Sequence, residues 1–357
     1  MTDTTVAIIG AGLAGLNAAR LLHRAGVGFH LFEARDRAGG RILTVDEMGV
    51  LAEDGFDLGP SWFWPQMHPL MAELVDELGL PVFQQHSTGD MVFERTSRES
   101  PQRVPGFAQE PSSMRIAGGT AALVRALMRE LPMERLYFGT PVTALRLTGE
   151  SVAVTASDRT LTASHVIAAL PPRLFAEKLT LHPAPVSRDL IRWQATATWM
   201  APHAKVFALY DRPFWRDAGF SGMAQSMVGP LVEIHDATTA SGKAALFGFV
   251  GVPAANRSAL GDEAVIRAAI QQLTRLFGPE AGSPPATLIK DWAEDSWTAT
   301  KADVVSSAHP VASDVEWVTG QWQGRLFMAG SEASPSDPGY LAGAVEASRR
   351  AVRSICG

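Results

Sequence analysis

The N-terminal part of the chain alternates between short apolar runs and a stretch with helical spacing. Residues 5–9 form an apolar run rich in β-branched residues, which is typical of a buried strand. Residues 13–25 have a helical composition and end near Gly26, a residue at which helices commonly stop. Residues 27–32 form a second apolar run that ends at Glu33. The pattern predicts two buried strands joined by one helix.

Further apolar runs predict strands and helices through the rest of the chain. The segments that predict strands are 142–147, 152–155, 165–170, 206–210, 231–234, 245–250 and 325–329. The first two flank a Gly-Glu pair and predict a β-hairpin, and the runs between 206 and 250 predict a second sheet. Helical periodicity is found in 121–131, 261–277 and 341–355. Thr120 precedes the first of these helices and is a predicted N-cap.

The turn after the first strand carries a glycine motif. Gly10, Gly12 and Gly15 form a G-x-G-x-x-G sequence, and Glu33 follows at about the 20-residue spacing of a dinucleotide-binding βαβ unit. In such a unit the first glycine permits a tight turn, the second admits a pyrophosphate, and the third lets the helix pack closely. The helix N-terminus favours phosphates. The carboxylate of Glu33 would bind ribose hydroxyls and repel a 2′-phosphate, so NADP is disfavoured, whereas FAD and NAD remain.

The composition excludes several classes of protein. With 357 residues, of which 46% are hydrophobic, the chain is long enough for about two globular domains. A formal charge of −6 without blocks of Lys and Arg argues against nucleic acid or an anionic membrane surface as a partner. The single cysteine, Cys356, excludes an intramolecular disulfide. No Cys/His cluster has the spacing of a zinc site, so we expect no metal.

Targeting signals are also missing from the sequence. No basic segment precedes the first strand, and no apolar run is long enough to span a membrane. We therefore expect a cytoplasmic protein. Three histidines, His68, His182 and His309, each precede a proline and are expected in loops.

A second phosphate-binding feature follows Glu33. Gly39 and Gly40 followed by Arg41 would bring a close backbone and a guanidinium to the same pyrophosphate. Taken alone, this segment also fits a polar surface loop. The C-terminal strand and amphipathic helix favour the first interpretation, although the helix by itself also fits a plain packing helix.

Together these motifs resemble those of the flavin amine oxidase family, the monoamine and polyamine oxidase group of the glutathione-reductase-like FAD superfamily. The stretches that carry the resemblance run from one end of the chain to the other: 6–15, 33–41, 57–62, 118–119, 141–142, 169–172, 205–215, 291–292 and 326–351. The resemblance implies an α/β fold with a discontinuous, Rossmann-like FAD-binding domain and an inserted, sheet-based substrate domain. The FAD-binding domain would comprise 1–80, 115–190 and 292–357, and the substrate domain 81–114 and 191–291.

The resemblance also implies which residues hold FAD, without a covalent bond. The ADP and ribityl parts would be held by Gly10, Gly12, Gly15, Glu33, Arg35, Gly40, Arg41, Gly330 and Glu332. The isoalloxazine would be lined by Gly59, Pro60, Ser61 and Trp62, with Trp292 packed nearby. Val142 would meet the adenine through its backbone. The helix that contains Leu341 and Ala344 would direct its N-terminus, with its partial positive charge, at the flavin C2 carbonyl.

Two residues correspond to catalytic positions of the family. Lys205 heads an apolar strand, where a lysine is most often solvated. The family places here a lysine that is bonded through water to flavin N5. Tyr340 matches a tyrosine that stands over the flavin face as half of an aromatic cage for the amine; it would otherwise anchor the start of a helix. Both are candidate catalytic residues.

Two features depart from the family pattern. Where the family supplies the second cage aromatic this chain has Ala302, so Trp297 or another tryptophan would have to replace it. Lys301 stands at the position of the cysteine that binds flavin covalently in some relatives, which argues against covalent attachment there. The segment 83–113 is shorter than in longer relatives, so the pocket should be more open or be covered by the partner subunit of a homodimer.

We therefore expect an FAD-dependent oxidoreductase that oxidises the C–N bond of an amine or amino acid. The hydride of this small-molecule substrate would pass to flavin N5, and O2 would reoxidise the flavin and give H2O2. Two alternatives stay open. One is a flavoenzyme of the same fold with another hydride donor, such as a C–C desaturase or a renalase-like dihydronicotinamide oxidase. The other is a flavin-binding protein without turnover.

Overall fold

The computed structural model describes residues 5–107, 110–157, 159–305 and 308–357. Its strands are β1 (Thr5–Ile9), β2 (Gly28–Phe32), β3 (Thr44–Val45), β4 (Phe56–Asp57), β5 (Val82–Gln84), β6 (Asp90–Glu94), β7 (Gln102–Val104), β8 (Met114–Ile116), β9 (Leu136–Tyr137), β10 (Val142–Thr148), β11 (Ser151–Ala156), β12 (Arg159–Ala163), β13 (His165–Ala168), β14 (Thr180–His182), β15 (Ala204–Tyr210), β16 (Phe220–Ser226), β17 (Leu231–Asp236), β18 (Ala244–Val250), β19 (Ala286–Asp291) and β20 (Leu326–Met328).

The α-helices lie between and after these strands. They are α1 (Leu13–Arg24), α2 (Pro69–Glu77), α3 (Ala121–Arg129), α4 (Pro172–Lys178), α5 (Ser187–Ala195), α6 (Phe214–Asp217), α7 (Ala254–Leu260), α8 (Asp262–Phe277), α9 (Lys301–Val305) and α10 (Leu341–Cys356). Short 3-10 helices occupy Met133–Arg135, Pro279–Gly282, Trp292–Glu294, Gly320–Trp322 and Ser331–Ala333. Among the described residues, no helix is both long and apolar enough to cross a membrane.

A five-stranded parallel sheet contains the first strand of the chain. Its strand order is β20-β13-β1-β2-β9, and each neighbouring pair is parallel. β1 is buried on both faces because Val6 and Ile8 pack against α1 and α10, whereas Ala7 and Ile9 face the opposite apolar cluster. Ligands of parallel sheets bind beyond the carboxyl ends of the strands. Ile9 and Phe32, the last residues of β1 and β2, stand at this edge.

Helix α1 approaches the turn after β1 very closely. A Cβ atom on Gly15 would lie 1.8 Å from the Gly10 carbonyl oxygen, so only glycine fits at this position. This close approach agrees with the packing role predicted for the third glycine of the motif. On the other side of α1, Asn17 Nδ2 donates to Ser348 Oγ of α10 at 2.9 Å. The first and last long helices are thereby packed side by side.

The second apolar cluster is covered by a four-stranded sheet with the order β12-β11-β10-β14. The predicted hairpin is confirmed, since β10 and β11 pair antiparallel around the Gly-Glu turn. Leu145, Val152 and Val154 of this sheet pack against the parallel sheet. The position of β10 brings Pro141 and Val142 close to the carboxyl edge of β2.

A seven-stranded sheet forms the second large layer, with the order β19-β15-β18-β17-β16-β6-β7. The three strands predicted between 206 and 250 all lie in it, as β15, β17 and β18. Val206 and Ala208 face α8, which covers one side of the sheet. Phe207 and Leu209 point to the other side, where they pack on Phe56 and Leu58. Lys205 shares this second side because alternate residues of a strand face the same way.

The structure corrects three predictions of local structure. The strand predicted over 165–170 ends at Ala168. His182 lies in β14 rather than in a loop, because the strand runs up to the following proline. Thr120 precedes α3 but makes no side-chain cap. Its hydroxyl and its backbone N–H instead donate to the buried carboxylate of Asp57, at 2.9 and 2.8 Å. The predicted division into two domains remains a prediction.

Candidate functional site

A cavity of about 910 Å³ extends from the carboxyl edge of the parallel sheet to the seven-stranded sheet. Most of the predicted site residues line it: Gly10, Gly12, Glu33, Arg35, Gly40, Arg41, Pro60, Ser61, Trp62, Val142, Lys205, Gly330, Tyr340, Leu341 and Ala344. Four others stand behind the wall: Gly15, Gly59, Trp292 and Glu332. Most residues that the sequence analysis predicted for the site therefore lie along one continuous cavity, and the remaining four lie outside its lining.

The glycine turn leaves a groove at the N-terminus of α1. A Cβ atom on Gly12 would meet only the Gly39 carbonyl oxygen, at 3.9 Å, and would otherwise project into the cavity. The backbone of Gly12 is extended (φ −73°, ψ −177°) and its helix has no side-chain cap. The N–H groups of the first helical turn therefore stay available for an anion. This groove fits a pyrophosphate.

The carboxylate of Glu33 is fixed at the end of β2. It is buried, and its two oxygens accept the backbone N–H groups of Ala11 (2.7 Å) and Arg35 (2.9 Å). Each carboxylate oxygen can accept more than one hydrogen bond. Glu33 can therefore bind ribose hydroxyls while the backbone holds it in place.

The two predicted arginines differ in what they contact. Arg35 Nη2 donates to Asp295 Oδ1 at 2.6 Å and to Thr298 Oγ1 at 2.9 Å, so this arginine connects the end of β2 to the segment after β19. Arg41 Nη1 donates to the buried Glu332 at 2.7 Å. Glu332 therefore supports Arg41 from behind. Arg41 brings a positive charge to the cavity wall beside Gly40, as a pyrophosphate site requires.

Lys205 projects from the start of β15 towards the segment 57–62. Its Nζ donates to the carbonyl oxygen of Gly59 at 2.5 Å and to Ser61 Oγ at 3.1 Å. The side chain is 1% exposed, and this burial lowers the pKa of Lys205 to about 7. The lysine is therefore a buried cavity-lining group and not the solvated strand end that is common for lysine.

The segment 57–62 is held from two further directions. Trp292 is fully buried, and its Nε1 donates to the Leu58 carbonyl oxygen at 3.0 Å. A Cβ atom on Gly59 would lie 1.9 Å from the Arg41 carbonyl oxygen, so the backbones of these two residues are in direct contact. Trp62 Nε1 donates to Gln85 Oε1 at 2.8 Å. These contacts position Pro60, Ser61 and Trp62 along the cavity.

The burial of Lys205 predicts a pH-dependent cost to folding. Its pKa is lowered from 10.5 to about 7, so between these pH values the unfolded chain holds a proton that the folded chain has released. Because the unfolded state then binds more protons, folding stability rises with pH across this window. The Lys205→Met variant lacks this titration. The melting temperature of the wild type minus that of the variant should therefore increase between pH 7 and about pH 10.

Thermal melts of both FAD-loaded proteins at several pH values in this range measure the gain. Other titrating groups are shared, so they cancel in the difference between the two proteins. A difference in melting temperature that is constant with pH would contradict a lysine that is neutral in the folded state.

Helix α10 directs its N-terminus into the cavity. Tyr340 occupies the N-cap position without a side-chain cap, and Leu341 and Ala344 of the first turn line the cavity. The partial positive charge of the helix end is thus presented to the site. Tyr340 is 42% exposed and lies at the mouth of the cavity.

Aromatic rings surround Tyr340. The ring centroids of His309, His68 and Trp64 lie 5.0, 5.4 and 6.2 Å from that of Tyr340. Trp199 lies 5.8 Å from His309 on the far side and also lines the cavity. Trp64 and Trp199 thus bring two tryptophan rings to this side of the cavity.

Ala302 and Trp297, the two positions that the sequence analysis considered for the second cage aromatic, differ in whether they line the cavity. Ala302 is exposed on α9 and does not line the cavity. Trp297 lines the cavity, but the residue next to it, Thr298, is bonded to Arg35. Trp297 therefore belongs to the part of the cavity near Glu33, away from Tyr340. Trp199 and His309 gave no clear sequence signal because their proximity to Tyr340 depends on long-range folding.

Two polar residues of β17 were also missed by the sequence analysis. Glu233 and His235 line the cavity, and His235 Nε2 lies 2.7 Å from Glu233 Oε1. A glutamate within the apolar run 231–234 was the available signal. Within the described residues, no group of three or more His, Cys, Asp or Glu side chains is arranged to hold a metal ion.

Comparisons with known proteins agree with this site. The model of the family described as "flavin containing amine oxidoreductase" matches residues 13–111 and 104–356. Amine oxidase (flavin-containing) B of Sus scrofa is 24% identical, over 98% of this chain and 85% of the relative. The structure of putrescine oxidase bound to putrescine superposes with a TM-score of 0.80 and 22% identity, covering 99% of this chain and 98% of that one.

Cyclohexylamine oxidase from Brevibacterium oxydans has the same fold, with a TM-score of 0.81, 22% identity and 99% coverage of both chains. The groove at Gly12, the Glu33 carboxylate and the helix end at Leu341 fit FAD, which is the cofactor. The protein is an FAD-dependent oxidoreductase of amines. With a family model matched over nearly its whole length, the chain belongs to the flavin-containing amine oxidoreductases.

Proposed function

We propose that this protein oxidises a small amine that carries a second positive charge, such as a diamine, and that O2 takes the electrons from FAD and becomes H2O2. The proposed substrate class rests on a row of side chains that crosses the seven-stranded sheet. Lys205 pairs with Phe249, and Phe249 pairs with Glu233, so these three residues lie side by side on adjacent strands. All three line the cavity.

The row gives the distance between the two ends of the site. Neighbouring strands are about 4.8 Å apart, so the backbones at Lys205 and Glu233 are about 10 Å apart, with the Phe249 ring between them. An amine held near Lys205 could therefore extend a short apolar chain over Phe249. A second ammonium at the end of that chain would reach the Glu233 carboxylate.

The charges in the cavity favour this orientation. Glu33 and Glu233 are the acidic side chains among the described residues that line the cavity, and Glu33 is held at the nucleotide end. The hydrogen bond from His235 lowers the pKa of Glu233, so this carboxylate is ionised at neutral pH. The nearby Arg257 is paired with Asp291 through two bonds of 2.7 Å. Arg257 is therefore occupied by Asp291 and does not neutralise Glu233, whose contact with His235 leaves lone pairs for a cation.

The chain's residues prepare the amine for oxidation. When bound, FAD supplies an acceptor for the hydride of the carbon next to the amine nitrogen. Tyr340, Trp199 and Trp64 exclude water from this position and present aromatic faces to the nitrogen. Lys205, with its pKa near 7, can hold or release a proton at Nζ near neutral pH.

The relatives support the same substrate class. The solved structure of putrescine oxidase has putrescine bound, and putrescine carries an amine at each end. The relatives named as amine oxidases include proteins for monoamines, so the family by itself does not decide between one and two positive charges. Glu233 is the residue of this chain on which that choice depends.

An anaerobic titration tests the proposed function directly. Butane-1,4-diamine and butylamine are added separately to the purified FAD-loaded protein while the visible spectrum is recorded. We expect the diamine to bleach the oxidised-flavin band at the lower concentration, and air to restore the band with release of H2O2. A yellow protein whose flavin band no amine bleaches would overturn the proposed oxidation of amines. Equal bleaching by both amines at the same concentration would overturn the proposed preference for a substrate with a second positive charge.

Replacing Glu233 with glutamine should weaken binding of the diamine selectively. Loss of a charge-assisted bond of this kind costs about 1.5–3 kcal/mol, so KM for the diamine should rise by about ten- to a hundredfold. KM for butylamine should stay within about twofold because this amine leaves Glu233 unused. Glu150→Gln, an exposed glutamate in the hairpin turn, is the matched control. Steady-state kinetics with both amines would contradict the assignment if both KM values rose equally.

A further inference from the structure

We propose that His235 is a positioning residue that fixes the direction of the Glu233 carboxylate and thereby sets the preference of the site for a second cationic group. This inference rests on the proposed role of Glu233 and adds to it. The two residues stand two positions apart on β17 and therefore face the same side of the sheet. The distance from His235 Nε2 to Glu233 Oε1 is 2.7 Å.

The two partners differ in their freedom to move. The His235 side chain is 11% exposed, whereas the Glu233 side chain is 50% exposed. The His235 ring stacks on Phe247 at 5.5 Å and 27°, and meets the Trp62 ring edge-on at 4.7 Å. Trp62 is in turn bonded to Gln85. His235 is therefore a fixed donor, and Glu233 is the mobile partner that it orients.

The hydrogen bond from His235 leaves Glu233 able to bind a cation. A carboxylate that accepts one hydrogen bond keeps lone pairs on its oxygens that can accept further bonds from an ammonium. Because His235 fixes one side of the carboxylate, the group keeps one direction in which it can meet a second cationic group.

The neighbouring charged groups are few. β18 and β16, on either side of β17, contain no titratable side chains within their strands. On the other packed elements, Lys205 of β15 faces the same cavity and His203 precedes that strand. Asp236, next to His235, accepts bonds from Trp215 and Arg216. Asp57, in the segment below Trp62, is held by Thr44 and Thr120.

The test compares two amines on the same enzyme. The ratio of kcat/KM for butane-1,4-diamine to kcat/KM for butylamine is measured at one fixed pH. Deprotonation of the reacting amine and the state of Lys205 affect both amines and largely cancel in the ratio. We expect the ratio to fall by about threefold or more when residue 235 can no longer donate to Glu233.

Two variants separate the hydrogen bond of His235 from its packing. His235→Gln keeps an N–H donor near the position of Nε2, so its ratio should stay within about twofold of the wild type. His235→Phe keeps a ring against Trp62 and Phe247 without a donor, so its ratio should be lower by about threefold or more. FAD content and the flavin spectrum of each variant verify that the site is intact.

Each outcome has one meaning. A His235→Phe ratio equal to the wild-type ratio would overturn the role of His235 and leave the diamine proposal standing. A wild-type ratio near one would overturn both proposals. The absence of flavin reduction by either amine would overturn the proposed function itself.

Discussion

Replacing Gly12 with valine will produce a protein that purifies without FAD. The backbone at Gly12 is extended, a conformation that valine adopts readily, and the added side chain would project into the groove at the N-terminus of α1. The fold should therefore persist while the space for the pyrophosphate is filled. We expect the dissociation constant for FAD to rise by at least about a hundredfold, equivalent to about 2.8 kcal/mol.

Reconstitution of the apoprotein with FAD, followed by flavin fluorescence, measures this loss. Ala25→Val provides the control, since it adds the same side chain at the far, exposed end of α1. Circular dichroism verifies that both variants are folded. A Gly12→Val protein that retains yellow colour and normal affinity would mean that the pyrophosphate does not pass over this turn.

Replacing Lys205 with methionine will lower the rate of catalysis by about a hundredfold or more. Methionine preserves most of the volume at this buried position but removes the Nζ that donates to Gly59 and Ser61 and that can hold a proton near neutral pH. Loss of a positioned proton-transfer or hydrogen-bonding group typically costs this amount. FAD should still bind because the nucleotide end of the cavity is unchanged.

Stopped-flow measurements separate the two halves of the reaction for this variant. Anaerobic reduction by the amine and reoxidation by O2 are recorded independently, with Lys243→Met as the control for loss of an exposed lysine. We expect at least one half-reaction to slow by the full amount. Unchanged rates in both halves would show that Lys205 only supports the segment 57–62.

The nucleotide end of the site was predictable because its signals are local. Gly10, Gly12 and Gly15 lie within one turn, and Glu33 follows at the spacing that a βαβ unit dictates. Nine of the strands, including β1, β2, β13 and β20 of the parallel sheet, were likewise visible as apolar runs, whereas the others, such as β9 and β19, were not. These features depend on neighbours in the sequence, so their pattern can be read without the fold.

The substrate end could not be derived in the same way. Trp199, His309 and Tyr340 come from three separate segments that meet only after folding, and His309 was expected in an ordinary loop. Glu233 lies on the same row as Lys205 because of the register of three antiparallel strands, which no local pattern specifies. The resemblance to the family identified Lys205 and Tyr340, but Trp199, His309 and Glu233 could be assigned to the site only from the structure.

The contact between the two ends of the chain has a consequence for how the protein is made. Strand β1 and Arg41 come from the N-terminal part, whereas β20, Glu332 and α10 come from the C-terminal part. A ribosome must therefore translate through α10 before the flavin has a finished binding site. Chains that end before α10 lack this site and cannot gain the stability that a bound ligand confers. FAD thereby stabilises only those chains that extend through α10.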